Sequence, residues 1–180
     1  MADFIMLPDD TTGTNEWLNF GAVTHEECVQ TDDDNTTYVY ETRQGQEITF
    51  TMANPGVAEE DIDFNEDVTV QAHVTAHYAV GSGTVGMTIR MTGTGLFLGT
   101  YTASVAVDDS YPTYSGHAST FKSLGNVWDY TGLENVQVKL DCTGTPIRNS
   151  YLRVSYVYIN VNYTPVVAVT DNATFFGSNF

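Results

Sequence analysis

Basic residues are what this sequence has least of: 6 Lys+Arg stand against 23 Asp+Glu in 180 residues, a formal net charge of −17 at pH 7. So biased a surface repels phosphate backbones over its whole extent, which sets nucleic acid aside as a partner. Cysteine is scarce as well. Cys28 and Cys142 can make at most one bridge, and they read as two buried thiols. The opening ten residues, Met1 to Asp10, carry neither a basic n-region nor an apolar stretch long enough for a signal peptide. The expectation is therefore a chain not exported by the general route, in which the sequons at Asn35, Asn162 and Asn172 carry no glycan. No hydrophobic run approaches the length of a membrane span, so no membrane partner is expected.

Catalytic signatures are missing too. There is no nucleophile motif, phosphate loop or zinc spacing, and His25, His73, His77 and His117 form no ligand pattern. His73 and His77 fall on one face of a strand, but i and i+4 lie roughly 13 Å apart there, too far to share one metal. They read as exposed strand histidines. Paired carboxylates would serve glycoside hydrolysis only across a cleft, which a sequence does not display, so the chain is read as a non-enzyme.

What is present favours sheet. Hydrophobic residues make up 42% and aromatics 12%, led by 11 Tyr and 9 Phe, while charged residues are 16%. Such a mixture suits pleated, half-buried surfaces, and a chain of this length fits one domain burying roughly 70% of its unfolded surface. In 67–80, Val68, Val70, Ala72, Val74, Ala76 and Tyr78 alternate with Thr69, Gln71, His73, Thr75 and His77, the period-2 pattern of a strand with one dry face. Val85, Met87, Ile89 and Met91 repeat it after Gly81-Ser82-Gly83, and Tyr101, Ala103, Val105 and Val107 repeat it after Gly93-Thr94-Gly95. Three such runs joined by short turns predict an antiparallel meander.

Further strands are expected in 17–23, 36–42, 47–52, 113–121, 136–141 and 151–163. In the last, the apolar phase moves from Leu152 and Val154 to Val157, Ile159 and Val161, predicting a β-bulge near Tyr156 or burial on both faces. A helical turn or two is predicted within 123–135, where Trp128, Leu133 and Val136 face the core and Gly125 and Gly132 limit its length. The fold class is all-β: a jelly-roll-like antiparallel β-sandwich of about eight to ten strands with one short helical turn and N- and C-terminal arms. Residues 1–14 are read as the N-terminal arm, 15–164 as the sandwich and 165–180 as an apolar tail.

Three constellations are candidates for function. Phe4, Ile5 and Leu7 in the arm, with Val166, Val167, Val169, Phe175, Phe176 and Phe180 in the tail, are apolar enough to form an interface. The run Asp32-Asp33-Asp34-Asn35 offers hard oxygen ligands for Ca2+, as do the carboxylates of 59–67, although neither matches an EF-hand and a solvated loop is the plainer reading. Otherwise no cofactor is expected. Tyr111, Tyr114, Trp128 and Tyr130, with Tyr38 and Tyr40, fall near loops or strand ends where a sugar would stack, though such rings equally fill the ends of a sandwich.

The order of Trp17, then Asp32 to Val39, a strand from Val68 to Val80, the block Trp128 to Leu140 and the closing run Leu152 to Tyr163 resembles β-sandwich virion proteins of tailed bacteriophages. That resemblance covers about 17–163 and implies a capsid decoration or cement protein, or a fibre-like one. It would be made in the host cytoplasm without a signal and placed in the virion, with the major capsid protein or another virion protein and further copies of itself as partners. The alternative is a carbohydrate- or receptor-binding module, calcium-dependent if the acidic loop holds an ion.

Overall fold

A computed structural model describes residues 1–13, 15–31, 36–79, 85–92, 100–107, 113–115, 119–121, 130–144 and 150–167, with the backbone alone at 79, 100–105, 113–115 and 119–121. Two antiparallel sheets face each other. The first holds β1 (Ala2–Met6), β3 (Leu18–Phe20), β4 (Tyr38–Glu41), β6 (Val68–Ala79), β9 (Thr113–Ser115), β10 (Ser119–Phe121) and β12 (Tyr151–Tyr163). The second, in spatial order, holds β2 (Pro8–Thr11), β5 (Glu47–Met52), β11 (Gln137–Cys142), β7 (Val85–Thr92) and β8 (Thr100–Val107). Twelve strands among the described residues exceed the eight to ten expected, because 1–14 and 113–121 each divide into two short strands.

Strict alternation builds both layers. On β5 and β11 every second residue is buried: Ile48, Phe50 and Met52, and Val138, Leu140 and Cys142. They meet Val70, Ala72, Val74, Val157, Ile159 and Val161 of the other sheet in one core. Trp17 lies in that core with its indole N–H donating to the Gln46 carbonyl at 3.0 Å, which satisfies its one polar atom. Cys28 and Cys142 are free and buried. The short helix α1 (Tyr130–Glu134) buries Leu133 and leads through buried Val136 into β11, as the sequence predicts.

Two expectations are corrected. β6 and β7 are not a hairpin: β6 pairs with β12, β9 and β10, whereas β7 pairs with β11 and β8 in the facing sheet. A period of two fixes which face of a strand is dry but not which strand lies beside it, and two dry faces are satisfied equally by facing each other across the core. Only the β7–β8 half of the meander forms. At the N-terminus, the segment expected as an arm is woven into both sheets. β1 runs beside β12 from Ala2↔Tyr163 to Met6↔Ile159, and β2 runs beside β5. Ala2, Phe4 and Met6 alternate inward, and the chain crosses between sheets at Leu7-Pro8, where the Ala53 N–H donates to the Leu7 carbonyl at 2.7 Å.

Past β12, Pro165 bridges to Ile62, and the Val166 N–H donates to the Asp61 carbonyl at 3.0 Å. The start of the predicted tail is thus tied down as far as Val166. Val169, Phe175, Phe176 and Phe180 lie outside the described residues.

Candidate functional site

β12 is the central strand of the seven-stranded sheet, and its outward residues define a surface. Leu152, Val154, Val157, Ile159 and Val161 point into the core, leaving Tyr151, Arg153, Tyr156, Tyr158, Asn160 and Asn162 on the outer side. A bulge keeps this set together. Val154 stands opposite Ala76 and Tyr156 opposite Thr75, so Ser155 is an extra residue with no partner, buried beside Val154. The sequence places this feature within one residue of its position. Neighbouring strands extend the surface with Thr69, Gln71, His73, Thr75 and His77 on β6, Tyr38 and Tyr40 on β4, and Leu18 and Phe20 on β3, which stand opposite Tyr40 and Tyr38.

The rings form two linked groups along the face. Phe20 stacks on Tyr38 at 4.8 Å between centroids and 17°, Tyr38 meets Tyr40 edge-on at 5.9 Å, and Tyr40 tilts against Tyr151 at 5.4 Å. Further along, Tyr156 lies 5.0 Å from Tyr158, which stacks on His73 at 4.6 Å and 7°. The guanidinium of Arg153 joins the first group, 4.4 Å from the Tyr38 ring centroid and 4.7 Å from that of Tyr151, and it donates to the Tyr151 hydroxyl. Burial pushes the Tyr38 hydroxyl up from its ordinary value, against the Arg153 charge. Burial likewise pushes His73 down, favouring the neutral imidazole.

Charge is nearly absent here. Among the outward strand positions of this sheet with described side chains, Arg153 is the one permanent cation and Asp3, at the far end beside Asn162, the one carboxylate. Among the described residues the face therefore carries no pair of carboxylates. Two polar atoms on it are buried without a hydrogen-bond partner, Arg153 Nε, a donor, and Asn160 Oδ1, an acceptor. Seven residues of strand place these positions roughly 20 Å apart, so a ligand reaching both is an extended chain.

The predicted site residues fall as follows. Asp32, Asp33, Asp34, Tyr111 and Trp128 lie outside the described residues, and Tyr114 is described only by its backbone, opposite Val74 in β9. Tyr130 packs against the core with its hydroxyl donating to the Val57 carbonyl at 2.7 Å; burial, then Glu134, Glu59 and Glu60, push that hydroxyl up. In the 59–67 acidic stretch, Asp63 accepts from the Asn65 N–H and side-chain amide at 3.0 and 2.9 Å. Among the described residues no group of three His, Cys, Asp or Glu is placed to hold a metal ion. Phe4 packs edge-on against Tyr163 at 5.7 Å, while Ile5, Val166 and Val167 are exposed. Sequence reasoning names Tyr38, Tyr40, His73 and His77 but misses Phe20, Tyr151, Arg153, Tyr156, Tyr158 and Asn160. The signal was available: the residues of 151–162 left over once the apolar set is assigned inward are four aromatic or cationic side chains, two amides and Ser155.

Solved structures align with the chain as a fold. The chain aligns over 84% of its length with 98% of "CBM32 of AlyQ in complex with 4,5-unsaturated mannuronic acid", at 17% identity and a TM-score of 0.42. It aligns over 89% with 94% of the CBM22-1 xylan-binding domain from Paenibacillus barcinonensis Xyn10C, at 13% identity and a TM-score of 0.43. It aligns over 87% with the enzymatically active domain of bacteriophage CBA120 tailspike protein 4, at 10% identity and a TM-score of 0.45, and spans 19% of that chain. At these identities the likeness is one of β-sandwich architecture. No protein-family model matches the chain, and no curated protein is similar to it in sequence.

Proposed function

We propose that this chain is a non-catalytic carbohydrate-binding β-sandwich that holds a glycan chain along the outer face of its seven-stranded sheet. One observation carries the reading: two groups of rings on one face, Phe20 to Tyr151 and Tyr156 to His73, set among neutral amides and hydroxyls in a chain of net charge −17. A sugar presents apolar C–H patches and a rim of hydroxyls. Aromatic rings with one wet edge match the patches, and amides such as Asn160 match the rim. Capsid decoration rests on contacts by the arm and tail, of which Phe4 packs within its own chain and four tail residues lie outside the described region. The ring-lined face is the more specific feature, and it serves equally a receptor-binding module on a particle.

The test is affinity electrophoresis against a panel of soluble neutral and acidic polysaccharides, followed by calorimetry on any that retard migration. Retardation by at least one polymer is expected, weakened about tenfold, or ~1.4 kcal/mol, by Tyr158→Ala and unchanged by Tyr130→Phe. Circular dichroism checks that Tyr158→Ala is folded. No retardation by any polymer, or binding indifferent to Tyr158→Ala, refutes the proposal.

A further inference from the structure

Resting on that reading, we infer that Arg153 recognises the carboxylate of a uronic acid unit, so that the preferred ligand is a largely neutral glycan chain bearing isolated uronates. Among the described residues the guanidinium makes one hydrogen bond, to the Tyr151 hydroxyl. Its Nε is buried without a partner, and none of the ion pairs among the described residues involves it. Arg90 and Lys139, on the outer face of the other sheet, are by contrast neutralised by Glu47 and Asp141. In a protein with 23 acidic residues, this half-buried cation has no ion pair among the described residues.

Its setting fits a ligand. The rings of Tyr38 and Tyr151 hold the guanidinium in place, which removes much of the entropy otherwise lost when a long side chain is fixed on binding. A planar fork held in this way matches two coplanar carboxylate oxygens, which a lysine does not. The surrounding positions, Tyr40, His77, Tyr156 and Tyr158, carry no permanent charge. One cation on a face whose one described carboxylate, Asp3, lies at the far end beside Asn162, within a molecule of net charge −17, accommodates a single anionic unit, whereas a polyuronate is repelled along its length.

Calorimetry on a glucuronic-acid-substituted xylan and the same polymer after carboxyl reduction decides the matter. The unmodified chain is expected to bind the substituted xylan about tenfold more tightly than the reduced one at low salt. That margin should narrow as ionic strength rises. Arg153→Gln should erase it, and Arg153→Lys should restore only part. Equal affinity of the unmodified protein for the two polymers, with both weakened by Tyr158→Ala, overturns the role of Arg153 and leaves glycan binding standing. Absence of binding to these and to every other polymer of the panel overturns both. Tighter binding to polygalacturonate than to the substituted xylan overturns the preference for isolated uronates.

Discussion

Removing one residue from the middle of a central strand normally flips every side chain on one side of the cut, but β12 has one position where it does not. Val154 faces in opposite Ala76, and Tyr156 faces out opposite Thr75. Deleting Ser155 joins an inward residue directly to an outward one opposite neighbouring positions of β6, so the alternation becomes regular and both halves keep their faces. The Ser155 hydroxyl is buried without a hydrogen-bond partner, and its loss relieves ~1–3 kcal/mol. Against this stands the local twist that the bulge supplies between the stretch of β12 paired with β4 and the stretch paired with β1. The net change is expected to stay within about 2 kcal/mol, a shift of no more than about 8 °C in Tm for a domain of this size.

Deleting Tyr158, three residues away, is the contrast. If the first half of β12 holds its register, Ile159 and Val161, both fully buried, turn outward at ~1.5–3 kcal/mol each. Asn160 and Asn162 turn inward at a further ~1–3 kcal/mol each where their amides find no partner. The sum is ~5–12 kcal/mol; if the second half holds instead, the bulge at Ser155 takes up the lost residue and the flip is confined to Ser155, Tyr156 and Val157, at ~1.5–3 kcal/mol for exposing Val157 and ~1–3 kcal/mol for forcing Tyr156 inward. Urea unfolding followed by far-ultraviolet circular dichroism and tryptophan fluorescence measures both variants. A cooperative transition near the parent's is expected without Ser155, and one at a clearly lower urea concentration without Tyr158. Equal loss of structure in the two would refute the register argument.

Gly144→Ala should cost ~1–3 kcal/mol by overpacking, since its Cβ would stand 2.5 Å from the Gly86 backbone nitrogen, whereas Gly56→Ala, with nothing within 4 Å, should fall within ~0.5 kcal/mol of the parent; urea midpoints compare them. His73 is held below its ordinary 6.5 by burial, so the native state binds that proton less readily than the unfolded chain, and stability present above pH 6.5 is lost as pH falls through the native value. His73→Gln should therefore narrow the gap between urea midpoints at pH 7.5 and pH 5, and an unchanged gap would refute the assignment. Burial first, then the charge of Glu41, pushes the Cys142 thiol from 9.0 up to about 11. Its contribution is complete below pH 9.0 and lost as pH rises towards 11, so Cys142→Ala should flatten the alkaline fall in stability.

The sequence carried the inner faces almost completely. The apolar sets from Val68 to Tyr78 and from Val85 to Met91, and the two phases of β12, read inward from alternation alone, and all are buried. Neighbour relations were less legible. The pattern of β6 and β7 is as well satisfied by facing sheets as by a hairpin, and the order β6–β12–β4 joins segments far apart in the chain, which a local period does not encode. Residues 1–14 read as an arm because a proline in so short a segment interrupts the alternation of a strand, whereas here Pro8 stands at the crossing between the two sheets. For the site, loop aromatics drew attention because loops carry function in most folds, while the rings that share a face here lie on strands, spread through the chain from Phe20 to Tyr158 and brought together only by sheet pairing.

The two outer faces show which features the fold itself requires. Both must be compatible with water, and the five-stranded sheet achieves this with Thr49, Thr51, Thr92 and Gln137 and with an ion-paired cluster of Glu47, Arg90, Lys139 and Asp141. Nothing in the architecture prevents the seven-stranded sheet from doing the same, since cross-strand Thr and opposite-charge pairs stabilise a pleated surface as well as rings do. It instead places five tyrosines, Tyr38, Tyr40, Tyr151, Tyr156 and Tyr158, on one face with two histidines and Phe20. Folding accounts for the half of each of these strands that points inward and is silent about the half that points out. Apolar ring surface on a strand's wet side, where charge would keep the molecule more soluble, is therefore the part of the sequence to be explained by what the face meets.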